Sequence, residues 1–161
     1  MTGENSIQKA KFLLKEAYEA QMEKNFDVAI KLYRESIQLH PTAEAHTFLG
    51  WTYSYLERLD DAILECHRAI AVDPDFGNPY NDIGSYLMKQ GKADEAIAWL
   101  EKAKQAPRYE PRHYPYLNLG RIYLATGRFQ EAQREFDQAR FVFDTLVKPS
   151  GDADDESASV N

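Results

Sequence analysis

Residues 82–107 read DIGSYLMKQGKADEAIAWLEKAKQAP, and the fold turns on how this stretch is read. Small residues at Gly84, Ala96 and Ala103 are interleaved with Tyr86, Leu87 and Leu100, and Gly91 separates two helical patterns. Apolar residues spaced three and four apart mark amphipathic helices, and a glycine between two such runs marks a turn. The stretch therefore predicts a helix, a tight turn and a second helix, with small residues where the two helices touch. The same pattern returns upstream as FLGWTYSYLERLDDAILECHRAIAVDP at 48–74 and downstream as NLGRIYLATGRFQEAQREFDQAR at 118–140.

Counting fixes the register. Ala17, Gly50, Gly84 and Gly120 are separated by 33, 34 and 36 residues. Ala29, Ala62, Ala96 and Ala132 follow the same three intervals, as do Ser36, Ala69, Ala103 and Ala139. A period between about 20 and 50 residues signals a solenoid. Further columns agree: Leu49, Ile83 and Leu119; Tyr53 and Tyr123; Phe26 and Phe129; Tyr33 and Phe136; with Pro41 and Pro74 closing repeats. On these residues the chain resembles the tetratricopeptide repeat family over about 7–147. It departs from that pattern at Ala17, which stands for a glycine, and at Pro107 and Pro111, which replace one closing proline. The resemblance implies an all-α chain, a right-handed superhelical α-solenoid of helix–turn–helix repeats. The four units are 7–42, 43–76, 77–112 and 113–147. A flexible start is expected at 1–6, with Ser6 the candidate cap of a helix beginning near Ile7, and a disordered acidic tail at 148–161.

Composition narrows the function classes. The chain of 161 residues fits one domain, its hydrophobic content of 43% supports a core, and strand-like alternation is lacking. No run approaches the roughly 18 apolar residues of a membrane span, and the opening MTGENSIQKAKF has no apolar leader core. A cytoplasmic protein is the expectation. Cys66 is the only cysteine, so no internal disulfide forms, and its column with Tyr33, Leu100 and Phe136 predicts a buried structural thiol. The net charge of −7 divides unevenly, with −7 over 1–101, +4 over 102–148 and −4 over 149–161. An acidic chain argues against nucleic acid, which demands a basic face. The basic third and fourth repeats either favour an acidic partner segment or are ordinary solvated helix faces.

No catalytic arrangement emerges. The chain has no phosphate-binding glycine loop and no nucleophile elbow. His40, His46, His67 and His113 lie without metal-ligand spacing, so neither metal nor cofactor is expected. Asp60-Asp61 and Asp94-Glu95 open second helices, where negative charge offsets the helix dipole.

The resemblance implies binding instead. In the family the first helices line a concave groove. The matching positions are Lys11, Leu14 and Tyr18 in the first unit, and Glu44, Thr47, Phe48, Trp51 and Tyr55 in the second. The third unit supplies Asn78, Asn81, Asp82, Ser85 and Lys89, and the fourth Tyr114, Asn118 and Arg121. Asn81 and Asn118 are candidates to hold an extended peptide by its backbone. Trp51, Tyr55 and Tyr114 offer aromatic contact area, and Lys89 and Arg121 suit a carboxylate. Aromatics at helical spacing are also ordinary core, and Phe48 fits packing between repeats equally well. Chaperone-binding members of the family use a two-carboxylate clamp of lysine, asparagine and arginine. The matching places hold Leu14, Tyr18, Phe48, Asn78 and Asp82, or one unit later Thr47, Trp51, Asp82, Tyr114 and Asn118, so recognition of chaperone tails is disfavoured.

The leading expectation is a non-catalytic adapter whose partner is a protein, presented as a peptide or helix, an acidic segment being one form it can take. One alternative is a self-assembling module, a homo-oligomer built through the apolar end Phe141, Phe143, Leu146 and Val147, a stretch that equally suits a partial cap on the last repeat. Another is a non-catalytic subunit of an enzyme complex. The acidic tail folding back on the basic half is a further reading.

Overall fold

A computed structural model describes residues 2–146. Within them lie eight helices: α1 Gly3–Met22, α2 Phe26–Leu39, α3 Ala43–Tyr55, α4 Leu59–Val72, α5 Asn78–Lys89, α6 Ala93–Gln105, α7 Tyr114–Ala125 and α8 Phe129–Leu146. They pair as α1·α2, α3·α4, α5·α6 and α7·α8, and each second helix then packs on the next first helix. First helices also touch one another, α1·α3, α3·α5 and α5·α7, whereas the second helices form no comparable pairs. The first helices therefore occupy the inner, shorter arc of an all-α solenoid.

Each turn inside a repeat is closed the same way. The N–H groups of Asn25, Arg58, Lys92 and Arg128 reach back to the carbonyls of Ala20, Tyr53, Leu87 and Tyr123 at 2.8–3.0 Å. This six-residue closure requires one left-handed residue. Gly91 and Gly127 supply it at φ 77°, but Lys24 and Glu57 hold the same place at φ 62° and 57°. The first two turns thus carry a conformation that costs a side-chain-bearing residue roughly 1 kcal/mol. Across the helix pair the small-residue column fixes the approach. A Cβ on Gly84 would lie 2.5 Å from Leu100 Cγ, and one on Gly120 would lie 2.5 Å from Phe136. Ala17 is fully buried in the first repeat, so that helix pair accommodates the extra methyl.

One boundary differs from expectation. Helix α1 begins at Gly3 with Thr2 as its extended cap and Glu4 in its first turn, not near Ile7 behind Ser6. Acidic charge at the N-terminus favours those extra residues as helix. Helix α7 begins at Tyr114, just inside the expected fourth unit, because residues 107–112 are used otherwise. Arg108 pairs in parallel with the preceding junction: its N–H donates to Asp75 O at 3.0 Å, and its carbonyl accepts from Gly77 N–H at 2.8 Å. Its guanidinium lies 4.4 Å from the Phe76 ring and bonds Glu44 at 2.9 Å and Asp73 at 2.5 Å. The linker after the third repeat thereby ties back to the second repeat and to its junction with the third. The expected tail at 148–161 lies outside the described residues, as does Val147.

Candidate functional site

The inner face divides into two unlike halves. In the first two repeats, aromatic rings run continuously along α1 and α3. Tyr18 and Phe48 have centroids 5.5 Å apart, Phe48 and Trp51 6.4 Å, and Trp51 and Tyr55 6.2 Å. Phe26, from the start of α2, stacks on Tyr55 at 5.4 Å. Tyr18 and Trp51 are each 39% exposed and Tyr55 51% exposed. Phe48 is half-buried and also meets buried Tyr33 at 6.3 Å, so it serves packing and ladder at once. Thr47 belongs to neither role: it is buried, and its hydroxyl donates to Ala43 O at 2.7 Å.

In the third and fourth repeats the groove floor is amide and carboxyl. Asn81 and Asn118 are brought together, but they are buried and bonded to each other, with Asn118 Nδ2 donating to Asn81 Oδ1 at 3.0 Å. Arg121, exposed at the rim, donates to Asn118 Oδ1 at 3.2 Å. Asn78 donates to the Glu110 carbonyl at 3.2 Å, while its Oδ1 is buried without a partner. Tyr114 is 44% exposed and lies against His113 at 4.6 Å. Ser85 is half-buried and Lys89 exposed.

Asp82 is the unusual group. Burial pushes its carboxyl up to about 7 against a hydrogen bond from Asn81 that lowers it. The residue as a whole retains some solvent exposure. Cys66 on α4, Tyr86 one turn along α5 and Tyr109 in the linker all feel its charge. Cys66 itself is fully buried, as its column predicts, and burial raises its thiol well above the usual range.

Many of the charges noted in the sequence are used internally. Lys104 pairs with Glu135 at 2.9 Å and with Glu101 at 3.1 Å, Arg108 with Glu44 and Asp73, and Arg128 with Glu131. Lys104, Arg108 and Arg128 are thus held by carboxylates of the fold, while Lys11, Lys89 and Arg121 are the exposed cations at the expected groove positions. His46 is buried against Glu65 at 2.7 Å. Burial raises the Glu65 carboxyl, but hydrogen bonds from His46 and Arg68 outweigh it and hold it below the usual range. No cluster of His, Cys, Asp or Glu suited to a metal occurs among the described residues.

At the far end, Phe141 and Leu146 are each 64% exposed. Phe143, 42% exposed, meets His113 edge-on at 5.1 Å, and Leu146 lies beside Tyr109, Arg112 and Tyr116. The extension thus covers the start of α7 in part. Two residues escaped the sequence reading of the groove. Phe26 belongs to a packing column yet stacks on Tyr55, and Met22 is 48% exposed. Met22 stands 33 residues before Tyr55 in the repeat register, a signal that would have found it.

Two models described as tetratricopeptide repeat match residues 14–75 and 75–140. The small glutamine-rich tetratricopeptide repeat-containing protein 2 of Mycosarcoma maydis is 28% identical over 62% of this chain. Its namesake from Saccharomyces cerevisiae is 30% identical over 58% of it. The chain spans only 28% of the length of each of these curated relatives. The solved structure of MamA superposes with a TM-score of 0.72 at 25% identity, covering 84% of this chain and 78% of that one. No helix among the described residues is long and apolar enough to cross a membrane.

Proposed function

The chain belongs to the tetratricopeptide repeat family, whose members generally mediate protein–protein interactions, and we propose that its inner face is a non-catalytic docking groove for a peptide or helix of a partner protein. One observation carries this reading: the uninterrupted ladder Tyr18, Phe48, Trp51 and Tyr55, exposed along the first two repeats. A monomeric fold gains little by leaving such rings wet, and aromatic rings with few rotatable bonds are the usual anchors of binding hot spots. Beyond the ladder, the exposed Lys89 and Arg121 offer cations to the same segment, above an Asn81–Asn118 pair that is closed on itself.

The test is affinity capture with the wild-type chain beside Trp51→Ala, Tyr55→Ala. A partner recovered by the wild type and lost by the double variant, with unchanged helical circular dichroism, supports the groove. Equal recovery by both removes it. The exposed Phe141 and Leu146 favour self-association as a second reading. Against it, Ile30, Ile63 and Ile97 pack on the core, whereas their column ends in exposed Gln133. Ile37 and Ile70 give way to Lys104 and then to exposed Arg140. A polar last column stops a stack. Sedimentation that stays monomeric up to high concentration eliminates this second reading.

A further inference from the structure

We infer that the notch at the end of the fourth repeat is a second docking site, apart from the groove, for a partner segment that brings an aromatic ring and a carboxylate. The notch lies between α7 and α8, measures about 310 Å³ and is lined by His113, Leu117, Phe136, Ala139, Arg140 and Phe143. That volume is at the low end of the roughly 300–1,000 Å³ of ligand clefts, which suits one side chain and its neighbour rather than a large ligand. Its floor is under-covered. Phe136 is half-buried, whereas Tyr33, Cys66 and Leu100, its counterparts in the earlier repeats, are fully buried. Leu117 is half-buried, whereas its counterparts Thr47 and Asn81 are buried. Phe143, 42% exposed and edge-on to His113 at 5.1 Å, closes the notch only in part.

The earlier junctions show what covers such a notch. Ala43 and Ala69, the counterparts of His113 and Ala139 in the second repeat, cluster with Phe76, which stands just before α5. In the third repeat Tyr109 lies over Gly77, the counterpart of Ala43, where an added Cβ would stand 2.6 Å from the Tyr109 Cβ. Both rings are buried, and both come from the linker that leads into the following first helix. The charge follows the same pattern. Lys104, the counterpart of Arg140, lies 4.6 Å from the Tyr116 ring of α7 and pairs with Glu135 of α8 at 2.9 Å, both in the next unit. Arg140 is exposed and takes part in no ion pair among the described residues. A ring seated on Leu117, Phe136 and Ala139 removes apolar surface from water, and a guanidinium takes a carboxylate with two parallel bonds. A second copy does not bring these groups: in the repeat register its first unit has Lys9 in the place of Phe76 and Leu32 in the place of Glu135. A partner protein with an aromatic residue beside an acidic one is the occupant that fits.

The probe is the blocked dipeptide phenylalanyl-glutamate, titrated into the full chain while the methyl signals of Leu117 and Ala139 are followed by NMR. It is expected to shift both signals at concentrations about tenfold below those of phenylalanyl-glutamine, which lacks the charge. Alanyl-glutamate, which lacks the ring, should leave them in place. Arg140→Gln should erase the preference for the acid, and Leu117→Trp, which fills the notch, should erase the Ala139 shift. Arg140 is exposed, so its variant reads the site even where Leu117→Trp does not fold. Signals that stay still, equal shifts by the acid and the amide, or an undiminished preference in Arg140→Gln overturn the inference. Trp51→Ala, Tyr55→Ala should leave the shifts unchanged; their loss would put the probe on the ladder and sink this site while the groove stands. Two further results overturn it by naming another occupant. Leu117 and Ala139 signals that move on dilution of the free chain would point to a second copy. Nuclear Overhauser contacts from residues 147–161 to Leu117 would point to this chain's own continuation.

Discussion

Repeats one and two present rings to solvent, whereas repeats three and four fold their amides inward. The helices are equivalent, and so are the columns: Phe48, Asp82 and Asn118 occupy one position in successive units. Their environments differ because their hydrogen-bonding needs differ. A ring at the groove floor has no polar atoms to satisfy, so it packs beneath and leaves its neighbours on the rim open. An amide at the same depth must be bonded, and the nearest partner is another amide one repeat away. The inner face is consequently fixed twice over, by stacking at one end and by an internal hydrogen bond at the other, and only the first leaves its groups free. Binding strength should reside in the aromatic half and specificity in the polar half.

The sharpest way to break this division is at the ladder. Trp51→Ala should weaken partner capture by about 2 kcal/mol or more, roughly thirtyfold, with little change in melting temperature. An equal loss of stability would mean that the rings are core. Asp82→Asn should act on stability in the opposite sense and with a pH signature. The folded carboxyl titrates near 7, against about 3.9 in an unfolded chain. The native state therefore keeps a proton that the unfolded state releases, so this group's penalty is absent below about pH 4 and complete above 7. Asp82→Asn should thus stabilise by about 2 kcal/mol at pH 8, half the full linkage value because the residue is partly exposed, and by almost nothing at pH 4. Thermal melts of both proteins at the two pH values check it.

Asn118→Ala should cost about 1.5 kcal/mol of stability, since Asn81 is left buried without its donor. Its effect on capture should be smaller than that of Trp51→Ala. The reverse order would mean that the amides open toward the ligand. The smallest effect concerns the turns. Glu57→Gly should stabilise by up to about 1 kcal/mol in denaturant unfolding, because residue 57 is left-handed. Lys24→Gly should do the same in the first repeat.

Repetition made most of the fold legible. A side chain that recurs at 33, 34 and 36 residues must meet the same neighbours each time, so Ala96, Leu100 and Gly84 could be placed before any coordinates. The sequence leaves Trp51, Tyr55 and Tyr114 open between contact and core, and the structure leaves all three exposed. The fate of Thr47, Asn81 and Asn118 was not legible. Each was read as groove-facing from its column, but whether a polar side chain faces a ligand or bonds within the fold depends on what stands one repeat away. For Thr47 the competitor was its own helix, since a hydroxyl reaches the carbonyl one turn back. For the asparagines it was each other.

The sequence by itself determined the all-helical solenoid, its four units, the tight approach at Gly84 and Gly120 and the aromatic character of the first half of the groove. These follow from local period and size, which act within one repeat and are reiterated along the chain. Only the tertiary structure decided the Asn81–Asn118 bond, the desolvation of Asp82 and the pairing of Arg108 with the junction at Asp73–Gly77. The two hydrogen-bonded pairings join residues more than 30 apart, and which polar group finds which partner is fixed by the packing of one repeat on the next.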